Sequence, residues 1–316
     1  MTLMLKISEL AQLGISLVTV RHITELFRLS RANFGIPKLD DTIYILFENG
    51  VLNPETKEFF SHSPEFFLTT SIGFNWDPSC PTTVFFKYLD DFTQGNKDYK
   101  LFIQAFLQSL VKKQNKAQIF LVVIGPGGSG KTILAHVMTA LAGKERTGTT
   151  GLKRLETDPF ENSTLINKHL ILANEAEEYH GTANNLKAFV GSDMLKASEK
   201  HKNDPKTAYY KGQVVIIGNN PLTINDPGGS VLRRVRLIKA LNVCQERKDL
   251  LSWSAGGWNG DIVPELPGIM AWALSMDKDR AHAILDRTHE LLPTMATNRE
   301  AFKDVCMPLT SWIKKS

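Results

Sequence analysis

Three mainly apolar runs in the middle of the chain, at 118–124, 169–173 and 214–217, predict buried β-strands. Such runs are typical of parallel strands that are covered on both faces. Between the first two runs, residues 133–141 follow the spacing of an amphipathic helix and contain no glycine or proline. A strand, a helix and further strands in this order predict an α/β fold with a parallel sheet.

The amino-terminal part of the chain has a different pattern. Residues 1–36 have helical apolar spacing, and residues 42–60 hold short β-rich runs separated by Asn-Gly and Asn-Pro, which predicts a small antiparallel unit. Residues 61–82 are rich in Ser, Pro and Phe and are expected to be irregular. An amphipathic helix is predicted over 99–113, and a domain boundary is predicted near 95–116.

The stretch between the first strand and the helix carries the strongest chemical signal. It has the Walker A spacing of two glycines followed by Lys and Thr, in the strand–loop–helix context that this motif requires. Glycines let the backbone wrap closely around phosphates, and the helix N-terminus adds free N–H groups and a positive dipole end. The residues of this P-loop, predicted to hold a nucleoside triphosphate, are Gly125, Pro126, Gly127, Gly128, Ser129, Gly130, Lys131 and Thr132.

Two side chains of the P-loop are predicted to act directly on the nucleotide. Lys131 would contact the β- and γ-phosphates, and the Thr132 hydroxyl would bind Mg²⁺. The motif by itself indicates triphosphate binding and does not distinguish a kinase, a GTPase, a transporter or a helicase.

Acidic residues begin where the second apolar run ends, which is the arrangement of a Walker B element at the carboxyl end of a strand. Glu175 is predicted to act on Mg²⁺ and on the attacking water. Glu177 and Glu178 are expected to form a solvated surface. Asn174 stands where a second acid often precedes the glutamate, which leaves open whether Glu175 contacts the metal directly.

Polar residues also follow the third apolar run. Asn219 is predicted to hold the attacking water from a strand between the P-loop and Walker B strands, and the alternative is a simple Asn-Pro turn. Arg233 or Arg234 is a candidate arginine finger that reaches a neighbouring subunit's γ-phosphate, although such a pair is usually a solvated surface or a phosphate patch. The Gly- and Thr-rich segment 147–151 is expected to be a flexible loop.

Composition sets limits on the protein class. The 316 residues, 42% hydrophobic and 22% charged, are ordinary for a folded protein of two or three domains. The net charge of +4 and the pI near 8.8 permit a nucleic-acid partner without requiring one. Cys80, Cys244 and Cys306 are far apart, which favours core residues in a reducing compartment over a disulfide framework or a zinc site. No apolar stretch reaches the length of a membrane-spanning helix.

The ordered set of motifs resembles the superfamily 3 helicases, a compact branch of the AAA+ ATPases, and more narrowly the helicase portion of phage, plasmid and poxvirus primase-helicases. Lys131 to Glu175 and Glu175 to Asn219 are each separated by 44 positions (175 − 131 and 219 − 175). The resemblance covers about residues 40–290. It rests on GPGGSGKT (125–132), HLILANEAEE (169–178), LKAFVGSDMLKASEKHK (186–202), VVIIGNNP (214–221), SVLRRVRLI (230–238), and the flanking IYILFENGVLNPETKEFFSHSP (43–64) and ELPGIMAWAL (265–274).

This resemblance implies a P-loop AAA+-like parallel sheet core at 116–245. It implies a mainly helical amino-terminal domain with a small β unit at 1–115, acting as an oligomerisation collar, and a helical carboxyl-terminal segment at 246–316. It also implies ATP and Mg²⁺ as ligands and a homo-oligomeric, hexameric ring that translocates on single-stranded DNA. The amino-terminal part is too short for the family's primase domain, so we expect a helicase-only protein or one whose primase half was lost or cut away.

The resemblance further implies a β-hairpin that projects basic side chains into the channel of the ring, and the matching segment is 187–211. This segment holds six lysines against three acids. The highest density is at Lys200, His201 and Lys202. Lysines attract phosphates without reading sequence, and Tyr209 and Tyr210 are candidates for stacking on bases. The alternative is a solvated basic loop.

These features predict an ATP-dependent DNA helicase of replication. One alternative is a P-loop small-molecule kinase, which would need arginines over the phosphates of its own subunit, whereas arginines cluster only after the third strand. The other is a replication initiator or loader that binds ATP and DNA without unwinding. A primase or a polymerase is a candidate partner, and no membrane is expected. The expected location is the cytoplasm or another reducing compartment with replicating DNA of phage, plasmid, viral or organellar origin.

Overall fold

The computed structural model describes residues 44–66, 68, 70–174, 181–197, 206–220, 222, 224, 226, 228–243 and 250–306. These residues belong to one compact unit that spans Asp41–Ser316. The helical pattern predicted over 1–36, the acidic run from Glu175 and the basic triplet Lys200-His201-Lys202 lie outside the described residues. The domain divisions at 115/116 and 245/246 stay predictions.

The strands, in chain order, are β1 Ile45–Phe47, β2 Gly50–Leu52, β3 Phe59–Phe60, β4 Phe120–Ile124, β5 Thr147–Gly151, β6 Leu170–Asn174, β7 Met194–Ala197, β8 Lys206–Tyr209, β9 Gln213–Gly218, β10 Val235–Lys239, β11 Ser252–Ser254 and β12 Gly257–Asn259. The helices are α1 Thr83–Thr93, α2 Lys97–Val111, α3 Lys131–Ala142, α4 Leu152–Thr157, α5 Glu161–Leu165, α6 Asn184–Gly191, α7 Ser230–Arg234, α8 Leu266–Ser275, α9 Lys278–Asp286, α10 Thr288–Leu291 and α11 Pro293–Cys306. Within these ranges no helix is both long and apolar enough to cross a membrane.

A sheet of five parallel strands forms the centre of the described residues, in the order β10-β4-β9-β6-β5. The predicted strands are confirmed as β4, β6 and β9, and the predicted helix after the P-loop is confirmed as α3. β9 lies between β4 and β6, as the sequence predicted for the strand that precedes Asn219. Because all five strands are parallel, their carboxyl ends share one edge, where open α/β sheets bind ligands.

Both faces of this sheet are buried, which explains the continuous apolar runs. Leu121 and Val123 of β4 pack on one face, in a core shared with α1, α2, α3, α8 and α9. Phe120, Val122 and Ile124 alternate onto the other face and pack with α4, α5, α6 and α11. The strand that carries the P-loop is therefore held from both sides.

Outside the central strands, two of the predicted elements are present in the structure and one is not. The small antiparallel unit is confirmed as β1-β2-β3, and the predicted helix over 99–113 is confirmed as α2. The flexible loop predicted at 147–151 is wrong, because this segment is β5, an edge strand paired with β6. A Cβ built on Gly148 would lie 2.6 Å from the Leu165 side chain, so this glycine marks close packing of β5 against α5.

A carboxylate from the carboxyl-terminal half fixes the start of α1. Glu265 accepts hydrogen bonds from the backbone N–H groups of Val84 (2.9 Å) and Phe85 (2.7 Å). The first N–H groups of a helix have no intrahelical acceptor, and a negative charge there also interacts favourably with the helix dipole. Glu265 is itself buried, so α1 is joined to the residues just before α8 by a desolvated, charge-assisted contact.

We expect Glu265→Gln to lower the free energy of unfolding by about 1–3 kcal/mol, because the amide retains one acceptor and loses the charge. Urea titration followed by far-UV circular dichroism measures the change. Glu290→Gln on α10 is the matched control, since Glu290 is exposed, and its effect should stay within about 0.5 kcal/mol. Equal effects of both substitutions would contradict the capping role.

Candidate nucleotide-binding site

The P-loop begins at the carboxyl end of β4, between the ends of β9 and β10. The Gly125 N–H donates to the Gly218 carbonyl (3.3 Å), and the Ala240 N–H donates to the Ile124 carbonyl (2.8 Å). A Cβ built on Gly125 would lie 1.9 Å from the Ala240 carbonyl oxygen, so this position admits only glycine. The close approach of three strand ends therefore fixes where the loop starts.

Glycines further along give the loop its curvature. Gly128 and Gly130 have φ angles of +78° and +86°, in the left-handed region that side chains disfavour. No heavy atom lies within 4 Å of a Cβ built on Gly127, so the loop is open on that side. α3 begins directly afterwards, and its first N–H groups lack intrahelical acceptors.

Lys131 lies at the start of α3 with its ammonium group inside the loop. Its Nζ donates to the carbonyls of Gly125 (2.6 Å) and Pro126 (2.7 Å) and lies 3.2 Å from the Ser129 Oγ. Burial lowers the pKa of Lys131, because the loop desolvates the ammonium. An anion placed in the loop would compensate this desolvated charge.

The donor set fits a polyphosphate, and the exposed Thr132 in the first turn of α3 fits a hydroxyl ligand for Mg²⁺. Free N–H groups at a helix N-terminus, an open glycine cradle and a buried ammonium together favour a chain of phosphates.

Two contacts that the sequence pattern does not indicate join α1 to the P-loop and to the segment after β10. The Tyr88 hydroxyl of α1 donates to the Gly130 carbonyl (3.0 Å). The Asn242 side chain, just after β10, donates to the Asp91 carbonyl of α1 (2.9 Å). Both partners are tens of residues from the motif in sequence, and nothing in the local pattern marks them.

Asn219 lies at the same edge of the sheet as the P-loop. It follows Gly218, which pairs with Ile124, and its side chain is exposed. Asn174 ends β6 at this edge, paired with Ile217. The next residue in the chain, the predicted acid Glu175, lies outside the described residues.

Arg233 and Arg234 lie at the opposite edge. They end α7, and the next residue, Val235, pairs with Phe120 at the amino end of β4. The length of β4, at about 3.3 Å per residue, separates the arginine pair from the P-loop by roughly 16 Å. The structure therefore does not bring the arginine pair and the P-loop of one chain together.

The two arginines differ in their surroundings. Arg233 is exposed. Arg234 is half-buried and donates to the Ser230 carbonyl (3.1 Å). Burial, together with neighbouring Arg233, lowers the pKa of Arg234, whereas Asp193 and Asp226 act in the opposite direction. Arg234 is therefore engaged within its own chain, and Arg233 presents its side chain outward.

α7 is only five residues long and is held at both ends. Asp226 is buried and accepts hydrogen bonds from the backbone N–H groups of Ser230 (3.0 Å), Val231 (2.7 Å) and Leu232 (3.0 Å). At the other end, the Arg236 Nη1 donates to the Arg233 carbonyl (2.9 Å). Burial, with a contribution from nearby Arg299, lowers the pKa of Arg236 to about 10, so its guanidinium remains charged at neutral pH.

The segment predicted to form a hairpin does contain one. β7 and β8 pair antiparallel, with Met194 opposite Tyr209 and Lys196 opposite Thr207. All four of these residues are exposed, so they form one solvent-facing surface of the hairpin.

The prediction that Tyr210 stacks on bases is wrong. Its ring is buried, packed edge-on against Phe189, and its hydroxyl donates to the Gln213 carbonyl (3.0 Å). Burial also raises the pKa of Tyr210 well above its usual value. Tyr209, which is 56% exposed, is the aromatic residue available on this hairpin.

Two families match parts of the sequence. The family of unknown function DUF5906 matches residues 123–234, and the family described as D5 N terminal like matches residues 18–94. The first match contains the P-loop, β6, the hairpin, β9 and α7. The second covers the amino-terminal segment and continues through α1.

Among solved structures, the chain is similar to two apo structures of the NrS-1 C-terminal region. The first is 18% identical with a TM-score of 0.49, and the likeness covers 73% of this chain and 55% of that one. The second is 19% identical with a TM-score of 0.44, covering 70% and 52%. The chain therefore spans about half the length of those structures.

Two curated relatives come from Marchantia polymorpha. The uncharacterized mitochondrial protein ymf20 is 32% identical over 118 residues, which are 37% of this chain and 71% of the relative. The uncharacterized mitochondrial protein ymf21 is 32% identical over 151 residues, which are 43% of this chain and 82% of the relative. With this identity over most of each relative, the chain belongs to the family of the mitochondrial proteins ymf20 and ymf21 of Marchantia polymorpha.

Proposed function

We propose that the protein is an ATP-dependent DNA helicase of replication that works as a homo-oligomeric ring on single-stranded DNA. The observation that carries this proposal is the placement of the P-loop and Arg233 at opposite edges of one parallel sheet. An arginine finger at that position serves only a neighbouring subunit. Head-to-tail contacts that place one subunit's finger edge against the next subunit's P-loop edge close into a ring, and we propose a hexamer.

In this proposal, the residues at the carboxyl edge carry out hydrolysis. The P-loop amides and Lys131 hold the β- and γ-phosphates, and Thr132 binds the Mg²⁺ that neutralises phosphate charge. Glu175 accepts a proton from the water that attacks the γ-phosphorus, and ADP leaves as the bond to the β-phosphate oxygen breaks. Asn219 orients that water, and the neighbour's Arg233 stabilises the charge on the transferred group.

DNA binding is assigned to the β7–β8 hairpin. Its connection holds Lys200, His201 and Lys202, which would contact phosphates, and its solvent-facing surface holds Tyr209, which would stack on a base. This arrangement combines charge with an aromatic platform and requires no base-edge hydrogen bonds, which suits a motor that moves along any sequence.

The comparisons support this proposal in part. The D5 N-terminal-like match contains residues 43–64, the segment that resembles the one preceding the helicase in primase-helicases. That match supports a role in replication. A primase or polymerase as partner, and residues 1–115 as an oligomerisation collar, are further parts of the proposal that follow from the resemblance alone. The mitochondrial naming of both relatives supports an organelle with its own replicating DNA as the compartment.

A small-molecule kinase is disfavoured by the same geometry, since its arginines would have to lie over its own P-loop. An initiator or loader would have the same features as a helicase but would not unwind DNA. ATPase measurements with and without single-stranded DNA, followed by a strand-displacement assay, therefore test the proposal. DNA-stimulated hydrolysis without displacement would identify a loader, and transfer of phosphate to a small acceptor would identify a kinase.

We expect Lys131→Ala to lower ATP hydrolysis by at least about 100-fold, because the substitution removes a positioned charge from the reacting phosphates. Thermal unfolding should change little. Lys116→Ala is the matched control, an exposed lysine that precedes β4, and it should hydrolyse ATP at the wild-type rate. Normal hydrolysis by Lys131→Ala would show that the nucleotide site is elsewhere.

We expect Arg233→Ala and Lys131→Ala, each inactive alone, to regain ATPase activity when mixed. In an equal mixture, about a quarter of the head-to-tail interfaces pair an intact P-loop with an intact finger. Light scattering and subunit exchange between labelled proteins verify that mixed rings form. No recovery in verified mixed rings would mean that the active site lies within one chain, and Arg234→Ala shows whether the other arginine contributes.

We expect two kinds of hairpin substitution to affect DNA binding differently. Tyr209→Ala should weaken binding to single-stranded DNA by about 1–3 kcal/mol with an unchanged salt dependence, because stacking releases no counterions. Lys200→Ala with Lys202→Ala should weaken binding and reduce the slope of log affinity against log salt. Fluorescence anisotropy at several salt concentrations measures both. Unchanged affinity in both variants would place the DNA contact elsewhere.

A further inference from the structure

We infer that Arg236 is a positioning residue that sets the conformation of Arg233 for the neighbouring subunit's active site, and that it does so by joining α7 to the carboxyl-terminal helices. The inference rests on the proposed function of Arg233 as an arginine finger. Arg236 belongs to β10 and is 3% exposed, so it contacts no nucleotide itself.

The guanidinium of Arg236 is saturated with acceptors. Its Nε donates to the Thr288 Oγ1 (2.7 Å). Its Nη1 donates to the carbonyls of Arg233 (2.9 Å) and Val235 (3.1 Å), and its Nη2 donates to the carbonyls of Leu285 (3.0 Å) and Asp286 (3.2 Å). Arginine has five N–H donors in a rigid fork, and each has a partner here.

These acceptors lie at the ends of two helices. The Arg233 carbonyl belongs to the last turn of α7, and the Leu285 and Asp286 carbonyls belong to the last turn of α9. Carbonyls at a helix end lack intrahelical donors, and a cation there is favoured by the helix dipole. One buried guanidinium therefore caps α7 and α9 together and fixes the finger-bearing helix relative to α9.

α7 depends on such contacts because of its length. A five-residue helix has almost no intrinsic stability, since nucleation costs more than its few hydrogen bonds return. Asp226 holds its N-terminus and Arg236 holds the carbonyl of Arg233 itself. Loss of the Arg236 contact frees the backbone of Arg233. The P-loop, at the other end of the strands, stays in place.

This role predicts a defect that acts in trans. Arg236→Lys keeps the charge but has three donors on one nitrogen, which do not reach the two helix ends and Thr288 at once. In the assembled ring, we expect kcat for ATP to fall about 10–100-fold, the scale of loss when a reacting group is misplaced by about an ångström. The KM for ATP should stay within about twofold of wild type, because the P-loop is unchanged.

Subunit mixing separates positioning from general damage. Arg236→Lys retains its own P-loop, so rings mixed equally with Lys131→Ala should recover up to about a quarter of wild-type activity, as expected for Arg233→Ala. Thr288→Val removes the Nε acceptor, together with the hydroxyl's own donation to the carbonyls at Ile284 and Leu285, and leaves the four Nη contacts of Arg236 in place. It should give a smaller kcat loss and the same recovery. Arg299→Lys is the control, and wild-type kcat is expected. Arg299 is a charged neighbour of Arg236, and its buried Nε lacks a hydrogen-bond partner among the described residues.

Each outcome of these experiments either supports or overturns the positioning role of Arg236. Wild-type kcat in ring-forming Arg236→Lys and Thr288→Val would overturn the inference, and so would a kcat loss that mixing does not restore although Arg233→Ala is restored. If Arg233→Ala also fails to recover in verified mixed rings, the shared active site of the proposed function is wrong and the positioning role falls with it. If Arg236→Lys does not assemble, Thr288→Val decides by the same criteria.

Discussion

The direction of the parallel strands is the constraint on which the rest of the site depends. Because β4 and β10 run the same way, the residues after β4 and the residues before β10 lie at opposite edges of the sheet. The P-loop belongs to the first group and Arg233 to the second. The separation is thus a consequence of sheet topology, and no rearrangement of a loop within one chain removes it.

A parallel sheet buried on both faces also needs supports that lie far away in sequence. Glu265 caps α1 from the carboxyl-terminal half, and Tyr88 of α1 then holds the Gly130 carbonyl of the P-loop. Asn242 joins the end of β10 to the same helix. The phosphate-binding loop is therefore stabilised by α1, which the motif itself does not include.

The parts of the fold that could be predicted from the sequence are those with a local signal. The P-loop, its strand and its helix were predictable because glycine spacing and apolar periodicity are properties of adjacent residues. The position of β9 between β4 and β6 was predictable because Asn219, which follows β9, must lie near the phosphates to hold the attacking water. β5 was not predicted because Gly148 gives its segment the composition of a loop. α1 was not predicted because its polar residues give a mixed pattern. Both elements are stabilised by packing against residues that are distant in sequence. Tyr210 was misjudged because two adjacent tyrosines at the end of a strand face opposite sides, and sequence does not say which side is buried.

The run Arg233-Arg234-Val235-Arg236 shows why residue type alone does not assign roles. The three arginines are exposed, half-buried and buried in turn, because the chain passes from a helix end into a strand within these positions. The buried one is the costliest to place, since a desolvated guanidinium is tolerated only when its donors are satisfied. Satisfying them requires carbonyls from two helix ends and a threonine hydroxyl, which ties the finger to α9 and α10. Arg236 is a charge buried at this cost, and it is hydrogen-bonded to the backbone of the exposed Arg233. That bond gives Arg233 a defined position, which α7 is too short to provide by itself.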